Sequence, residues 1–86
     1  MFCQVIYSNQ ADKDLTSLPK KISHRIAKKI KFYSEQKDPL QFAKPLHNAK
    51  LGSYRFRIGD YRVIFDFDKN DQIAILAVLC VKHRRE

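Results

Sequence analysis

Residues 51–68 read LGSYRFRIGDYRVIFDFD. Two alternating runs meet at Gly59-Asp60, and Gly-Asp between such runs is a two-residue hairpin signal, because glycine supplies the positive φ that primed turns require. That loop length pairs Ile58 with Tyr61, Arg57 with Arg62, Phe56 with Val63, Arg55 with Ile64 and Tyr54 with Phe65. Side chains alternate faces along a strand. One face therefore collects Tyr54, Phe56, Ile58, Tyr61, Val63, Phe65 and Phe67, and the other collects Arg55, Arg57 and Arg62.

Like charges directly opposite on a sheet are unfavourable. Two guanidinium groups about 6 Å apart at an effective dielectric of about 20 repel by roughly 3 kcal/mol. Three arginines brought together by pattern point to an absent anion, and phosphate suits the planar guanidinium, which grips it with two hydrogen bonds at once. The plainer alternative is a solvated strand face with interchangeable cations.

The 86 residues are expected to form one domain, residues 1–86, with a single core drawn from 44% hydrophobic residues. Seventeen Lys and Arg stand against nine Asp and Glu, a net charge of +8, which is the electrostatic footprint of a polyanion binder. Neither Cys3 nor Cys80 lies in a CxxC pattern and no Cys/His cluster has zinc spacing. Buried thiols are the expectation, with a Cys3–Cys80 bridge conceivable if their strands are neighbours. The opening MFCQVIYSNQADKD lacks the basic start and long apolar run of a signal peptide, and the apolar stretch 73–81 is too short to span a bilayer as a helix. A cytoplasmic location without membrane or small-molecule cofactor is expected.

Along the chain, residues 2–8 read as a short strand. Ser8 or Asn9 can cap a helix whose early Asp12 and Asp14 suit the positive end of its dipole. Ala11, Leu15 and Leu18 give it one buried stripe. Pro19 opens a longer helix, with Ile22, Ile26, Ile30 and Tyr33 as its apolar ridge. Lys20, Lys21, His24, Arg25, Lys28, Lys29 and Lys31 occupy its other side, and could track a nucleic-acid backbone or simply be solvated. Residues 36–50 read as irregular, broken by Pro39 and Pro45 and anchored by Leu40, Phe42 and Leu46; His47 there reads as a bystander. Residues 68–71 form a turn. Residues 72–82 then make a strand apolar on both faces, hence covered on each side. Whether Arg84 joins the arginine face depends on the parity of that turn, and a bulge would flip it.

The order strand, two helices, three strands, with LGSYRFRIGDYRVIFDFD followed by an apolar strand and KHRRE, resembles the RelE/ParE superfamily of toxins from type II toxin–antitoxin systems, in particular its RelE-like branch. The resemblance implies an α+β fold, β-α-α-β-β-β, with a small, mostly antiparallel sheet packed against an N-terminal two-helix hairpin. It implies a metal-independent endoribonuclease that cleaves mRNA in the ribosomal A site, with ribosome, mRNA and a cognate antitoxin as partners. By position, Arg55 and Arg57 occupy strand sites where that branch keeps cations. Arg62 matches the arginine after the Gly-x-Tyr turn, Arg84 the arginine closing the last strand, and His83 a position where many relatives have histidine.

The chemistry so implied is attack of a 2′-OH on the adjacent phosphate, leaving a 2′,3′-cyclic phosphate and a free 5′-OH. It needs positive charge at the pentacoordinate phosphorane, a base for the 2′-OH and an acid for the leaving oxygen. Arg62 and Arg84 are expected on the scissile phosphate, Arg57 and Arg55 in charge stabilisation and strand binding, and His83 in proton transfer. Lys50, Lys82, Arg85 and Lys28 are the further candidates for RNA contact. Many family members carry a tyrosine shortly after the arginines; this sequence stops at Glu86 without one. Two alternatives stay open: a ParE-like inhibitor of DNA gyrase that cleaves nothing, and an inactive relative that binds nucleic acid or an antitoxin.

Overall fold

A computed structural model describes residues 2–47 and 50–85; Met1, Asn48, Ala49 and the tail residue Glu86 lie outside the described residues. The order is β1 (Phe2–Tyr7), α1 (Asn9–Thr16), α2 (Lys20–Ser34), a 3-10 turn (Pro39–Phe42), β2 (Ala43–Pro45), β3 (Tyr54–Ile58), β4 (Tyr61–Lys69) and β5 (Ile73–His83). The strands form one mixed sheet, β1-β5-β4-β3-β2, in which only the β1–β5 pair is parallel.

Every hairpin pairing expected from Gly59-Asp60 is present, Arg57 opposite Arg62 included. Gly59 takes φ +58° at the turn, and the open side it leaves is covered by Arg25, whose Nη2 would lie 3.2 Å from a Cβ there. The apolar face of the hairpin is the core: Phe56, Ile58, Val63 and Phe65 are buried with Leu76, Val78 and Val81 of β5 and Ile26 and Ile30 of α2. Phe56 and Phe65 stack at 4.3 Å, and Tyr33 leans on Phe56 at 4.7 Å. Fully burying side chains of this size contributes roughly 1.5–3 kcal/mol each, so this layer holds the helices to the sheet.

The capping expectations resolve in favour of Ser8, whose Oγ accepts from Ala11 N at 3.0 Å. Residues 36–50 contain more order than their prolines implied. Asp38 caps the 3-10 turn through Leu40 N, and Ala43–Pro45 adds a fifth strand at the edge beside β3. Proline is admitted there because an edge strand has a side where no N–H is needed. No disulfide joins Cys3 and Cys80. Cys3 sits opposite Ala74 on β5, which leaves the two thiols about 20 Å apart along the strand at ~3.3 Å per residue. Among the described residues, no helix is long and apolar enough to cross a membrane.

The one irregularity in the ladders decides where the tail points. Ile64 faces Cys80, but Phe65 faces Val78, so Leu79 has no opposite number. This bulge reverses the alternation of β5. Leu76 and Val78 face the core before it; Val81 faces the core after it. Residues of α1 and its cap hold the bulge in place. Ser8 N donates to Val78 O at 2.9 Å, Ser8 Oγ donates to Leu79 O at 2.7 Å, and Val81 N donates to Asp14 Oδ2 at 2.9 Å. Beyond Val78, α1 thus takes over the edge of β5 that β1 covers earlier.

Candidate phosphate-binding face

The sheet face away from the helices carries the cations. Arg57, Arg62 and Lys82 stand directly opposite one another on β3, β4 and β5. Neighbouring strands lie about 4.8 Å apart, so these three form a short row across the sheet. The next row begins with Lys44 opposite Arg55 and continues into the apolar Ile64 and Cys80. No acidic side chain interrupts either row. Further along the same face of β4 comes Asp66, and its Oδ1 is occupied by Ser53 N at 2.9 Å and Ser53 Oγ at 2.8 Å.

A loop closes one side of this face. Leu46 N donates to Ser53 O at 2.9 Å, and the strand that follows is reached through the buried Gly52. A Cβ at Gly52 would lie 2.7 Å from Ile64 Cγ2 and 3.0 Å from Leu79 Cδ1, and its φ of +151° already disfavours other residues. Between loop and sheet lies a shallow hollow of about 490 Å³ lined by Lys44, Pro45, Leu46, His47, Arg55 and Arg62. Beside it, Phe42, Lys44, Arg55 and Arg57 line a second recess. Lys50 and Lys82 share a further hollow on the α1 side, with Asp14 and Cys80.

The expected site residues therefore divide. Arg55, Arg57, Arg62 and Lys82 come together on the face away from the helices, while Lys50 meets only Lys82 of these, in the hollow shared with Asp14. Arg84 reaches it differently from expectation: its carbonyl accepts from Arg62 Nη2 at 3.3 Å, while its own guanidinium turns to Asp60, 3.7 Å away. Both side chains of that pair are more than half exposed, 55% and 61%. A pair so exposed contributes at most about 1 kcal/mol, so an arriving phosphate could displace it. The same turn also holds the strand end through Arg84 N to Asp60 O at 2.7 Å. Arg85 is exposed in the tail.

His83 and Lys28 fall elsewhere. Because of the bulge, His83 faces Tyr61 rather than Arg62, with the two rings edge to face at 5.3 Å, on the helix side of the sheet. Its Nδ1 accepts from Arg85 N at 3.3 Å. His83, expected in proton transfer, thus stands on the other side of the sheet from the row Arg57–Arg62–Lys82. Lys28 belongs to a separate basic trough on α2, with Lys21, His24, Arg25, Lys29 and the half-exposed Phe32.

Sequence reasoning passed over Lys44 and set His47 aside as a bystander, because both lie in a segment its prolines marked as irregular. The one available signal was the run FAKP, whose short alternation and terminal proline fit an edge strand.

The comparisons agree with this scaffold. Residues 5–86 match the family model described as the ParE toxin of the type II toxin–antitoxin system parDE. The chain is 29% identical over 82 residues to Toxin RelG of Mycobacterium tuberculosis, covering 95% of this chain and 91% of that protein. Among solved structures, the archaeal RelE–RelB complex from Pyrococcus horikoshii OT3 matches with a TM-score of 0.70 and 30% identity, covering 98% of this chain and 97% of that one. The toxin–antitoxin complex RelBE2 from Mycobacterium tuberculosis matches at the same TM-score with 26% identity, over 94% and 96%. With a basic hairpin, a five-stranded mixed sheet and a family model spanning nearly its whole length, the chain belongs to the ParE toxin family of type II toxin–antitoxin systems, within the RelE/ParE superfamily.

Proposed function

We propose that this toxin is a metal-independent endoribonuclease that cleaves mRNA on the ribosome and so stops translation in the cytoplasm. The observation that carries the reading is the row Arg57–Arg62–Lys82, three cations from three adjacent strands on one face with no carboxylate among them. Such a row destabilises the free protein and becomes favourable when a phosphate enters it. In the reaction, the 2′-oxygen forms a bond to phosphorus, the bond from phosphorus to the 5′-oxygen breaks, and charge accumulates on the non-bridging oxygens. Fixed guanidinium groups stabilise that charge more than they stabilise the ground state.

Arg57 and Arg62 hold the scissile phosphate in this reading. Lys82 takes the third position of the row. Arg55, Lys44 and Lys50 hold the flanking backbone, and Arg84 with Arg85 supplies charge at the strand end. The α2 trough around Lys28 supports contact with the ribosome, whose surface is largely RNA backbone. A cognate antitoxin is the proposed protein partner; the RelBE2 and RelE–RelB structures are themselves complexes. An acidic segment that orders on binding would suit a surface of +8.

The name of the matching family model favours a second reading, ParE-like inhibition of DNA gyrase by protein contacts alone. One pair of assays separates the two. Cell-free translation with mapping of transcript 5′ ends is expected to give new ends within codons, and gyrase supercoiling is expected to be unaffected by the purified protein. Translation with no new ends, together with inhibited supercoiling, would reverse the assignment.

A further inference from the structure

The chemistry proposed above needs a group that takes a proton from the 2′-OH near neutrality; guanidinium stays protonated throughout, and an ordinary ammonium gives up its own proton only well above neutrality. Imidazole is the side chain that both accepts and returns a proton near neutrality. The chain has three histidines, and the fold distributes them to three different surfaces. His24 lies in the α2 trough on the helix side of the sheet. His83 faces Tyr61, and its Nδ1 accepts an N–H from its own tail. His47 alone lines a hollow shared with Arg55 and Arg62.

The position of His47 is fixed by its neighbours. Pro45 closes the β2–β3 ladder opposite Tyr54, and Leu46 N donates to Ser53 O at 2.9 Å. Ser53 is in turn held by Asp66 of β4. His47 therefore leaves the sheet at the fastened base of the loop. It is exposed, so a bound strand can reach it. The charged groups that line the hollow with it are Lys44 of β2, Arg55 of β3 and Arg62 of β4, all cations.

We infer that His47 is the general base of this toxin, a catalytic residue outside the hairpin and the tail. The inference rests on the nuclease reading. With the scissile phosphate against Arg62, a ring nitrogen of His47 takes the 2′-OH proton as the bond from the 2′-oxygen to phosphorus forms. The bond from phosphorus to the 5′-oxygen breaks, its electron pair stays on that oxygen, and the proton returns through water to the 5′-oxygen. The net change is one proton moved from the 2′- to the 5′-oxygen, with nothing oxidised or consumed. His83 keeps a supporting place, packing Tyr61 and the strand end.

The test compares His47→Gln, His47→Ala, His83→Gln and Arg62→Ala with wild type in cell-free translation, reading cleavage rate against pH, with equilibrium RNA binding measured on the same proteins. Glutamine and alanine cannot act as a base, so the expected result is a rate lower by roughly 10²–10⁴-fold in both His47 variants. RNA affinity should stay within about twofold of wild type, and the limb of the pH profile that reports the base should disappear. Added imidazole should partly restore His47→Ala. His83→Gln should keep its pH profile. A His47→Gln protein with wild-type rate, or one slowed without change in its pH profile, overturns the assignment to His47 while the contrast between wild type and Arg62→Ala still upholds cleavage. A wild type that cleaves nothing overturns both.

Discussion

The strand β4 has a neighbour on each side, and its two ladders are built differently. On the β3 side, five consecutive pairs run without interruption from Tyr54–Phe65 to Ile58–Tyr61. The turn residues and the alternation of charged and apolar side chains specify them jointly. On the β5 side, the ladder skips Leu79, and the contacts that stabilise the skip come from Ser8 and Asp14, far away in sequence. The first ladder presents Arg55, Arg57 and Arg62. The second decides which tail side chains join them. A binding face can therefore be strongly encoded on one half and depend on tertiary contacts on the other.

An alanine inserted between Ile64 and Phe65 should give the largest effect. It would stand opposite Leu79 and abolish the bulge, and regular alternation would then turn Arg62 and Lys82 into the core and Val63 and Val81 onto the arginine face. Burying unpaired cations is so costly that loss of the cooperative thermal transition in circular dichroism is expected; an insertion variant that melts like wild type would show that the bulge does not set this register. Next comes Phe56→Ala, which empties the centre of the regular ladder. The expected cost is about 3–5 kcal/mol in urea unfolding, against under about 1 kcal/mol for the half-exposed Phe32.

Asp14→Ala probes the bulge more gently. It leaves the half-buried Val81 N–H without its carboxylate, for an expected loss of about 1–3 kcal/mol, and it should lower cleavage through misplacement of Lys82. Unchanged stability would mean that water replaces the carboxylate there. The smallest effect is expected at Tyr7. Burial, and secondarily the charge of Asp12, raise its phenol above the usual value of 10.0. The folded state thus holds the phenol proton more tightly than the unfolded chain. The associated stability is fully present below pH 10 and is lost as pH rises through the raised value. Tyr7→Phe should flatten that alkaline slope in unfolding measurements and change little at neutral pH.

The same contrast explains how much of the molecule was legible. Gly59-Asp60, with its flanking alternation, announced the hairpin, both of its faces and every pair in it. Ser8, Pro19 and the isoleucine ridge announced the helices, because capping and periodicity are local signals. Leu79-Cys80-Val81 announced nothing. Three apolar residues in a row have no parity, so neither the bulge nor the side taken by Lys82 and His83 could be read from them. The contact of Asp14 with Val81 joins positions 67 apart and has no local signature. Pro45 hid β2, and with it the placement of Lys44 and His47 beside Arg55.

The central claim is that cations from neighbouring strands meet at one phosphate. The rate of transcript cleavage by wild type and by Arg62→Ala, measured on translating ribosomes with matched folded protein, tests it most directly. Loss of one such group from a transition state typically costs about 10²–10³ in rate, and that is the drop expected. Equal rates, with the same ends mapped for both proteins, would contradict the claim.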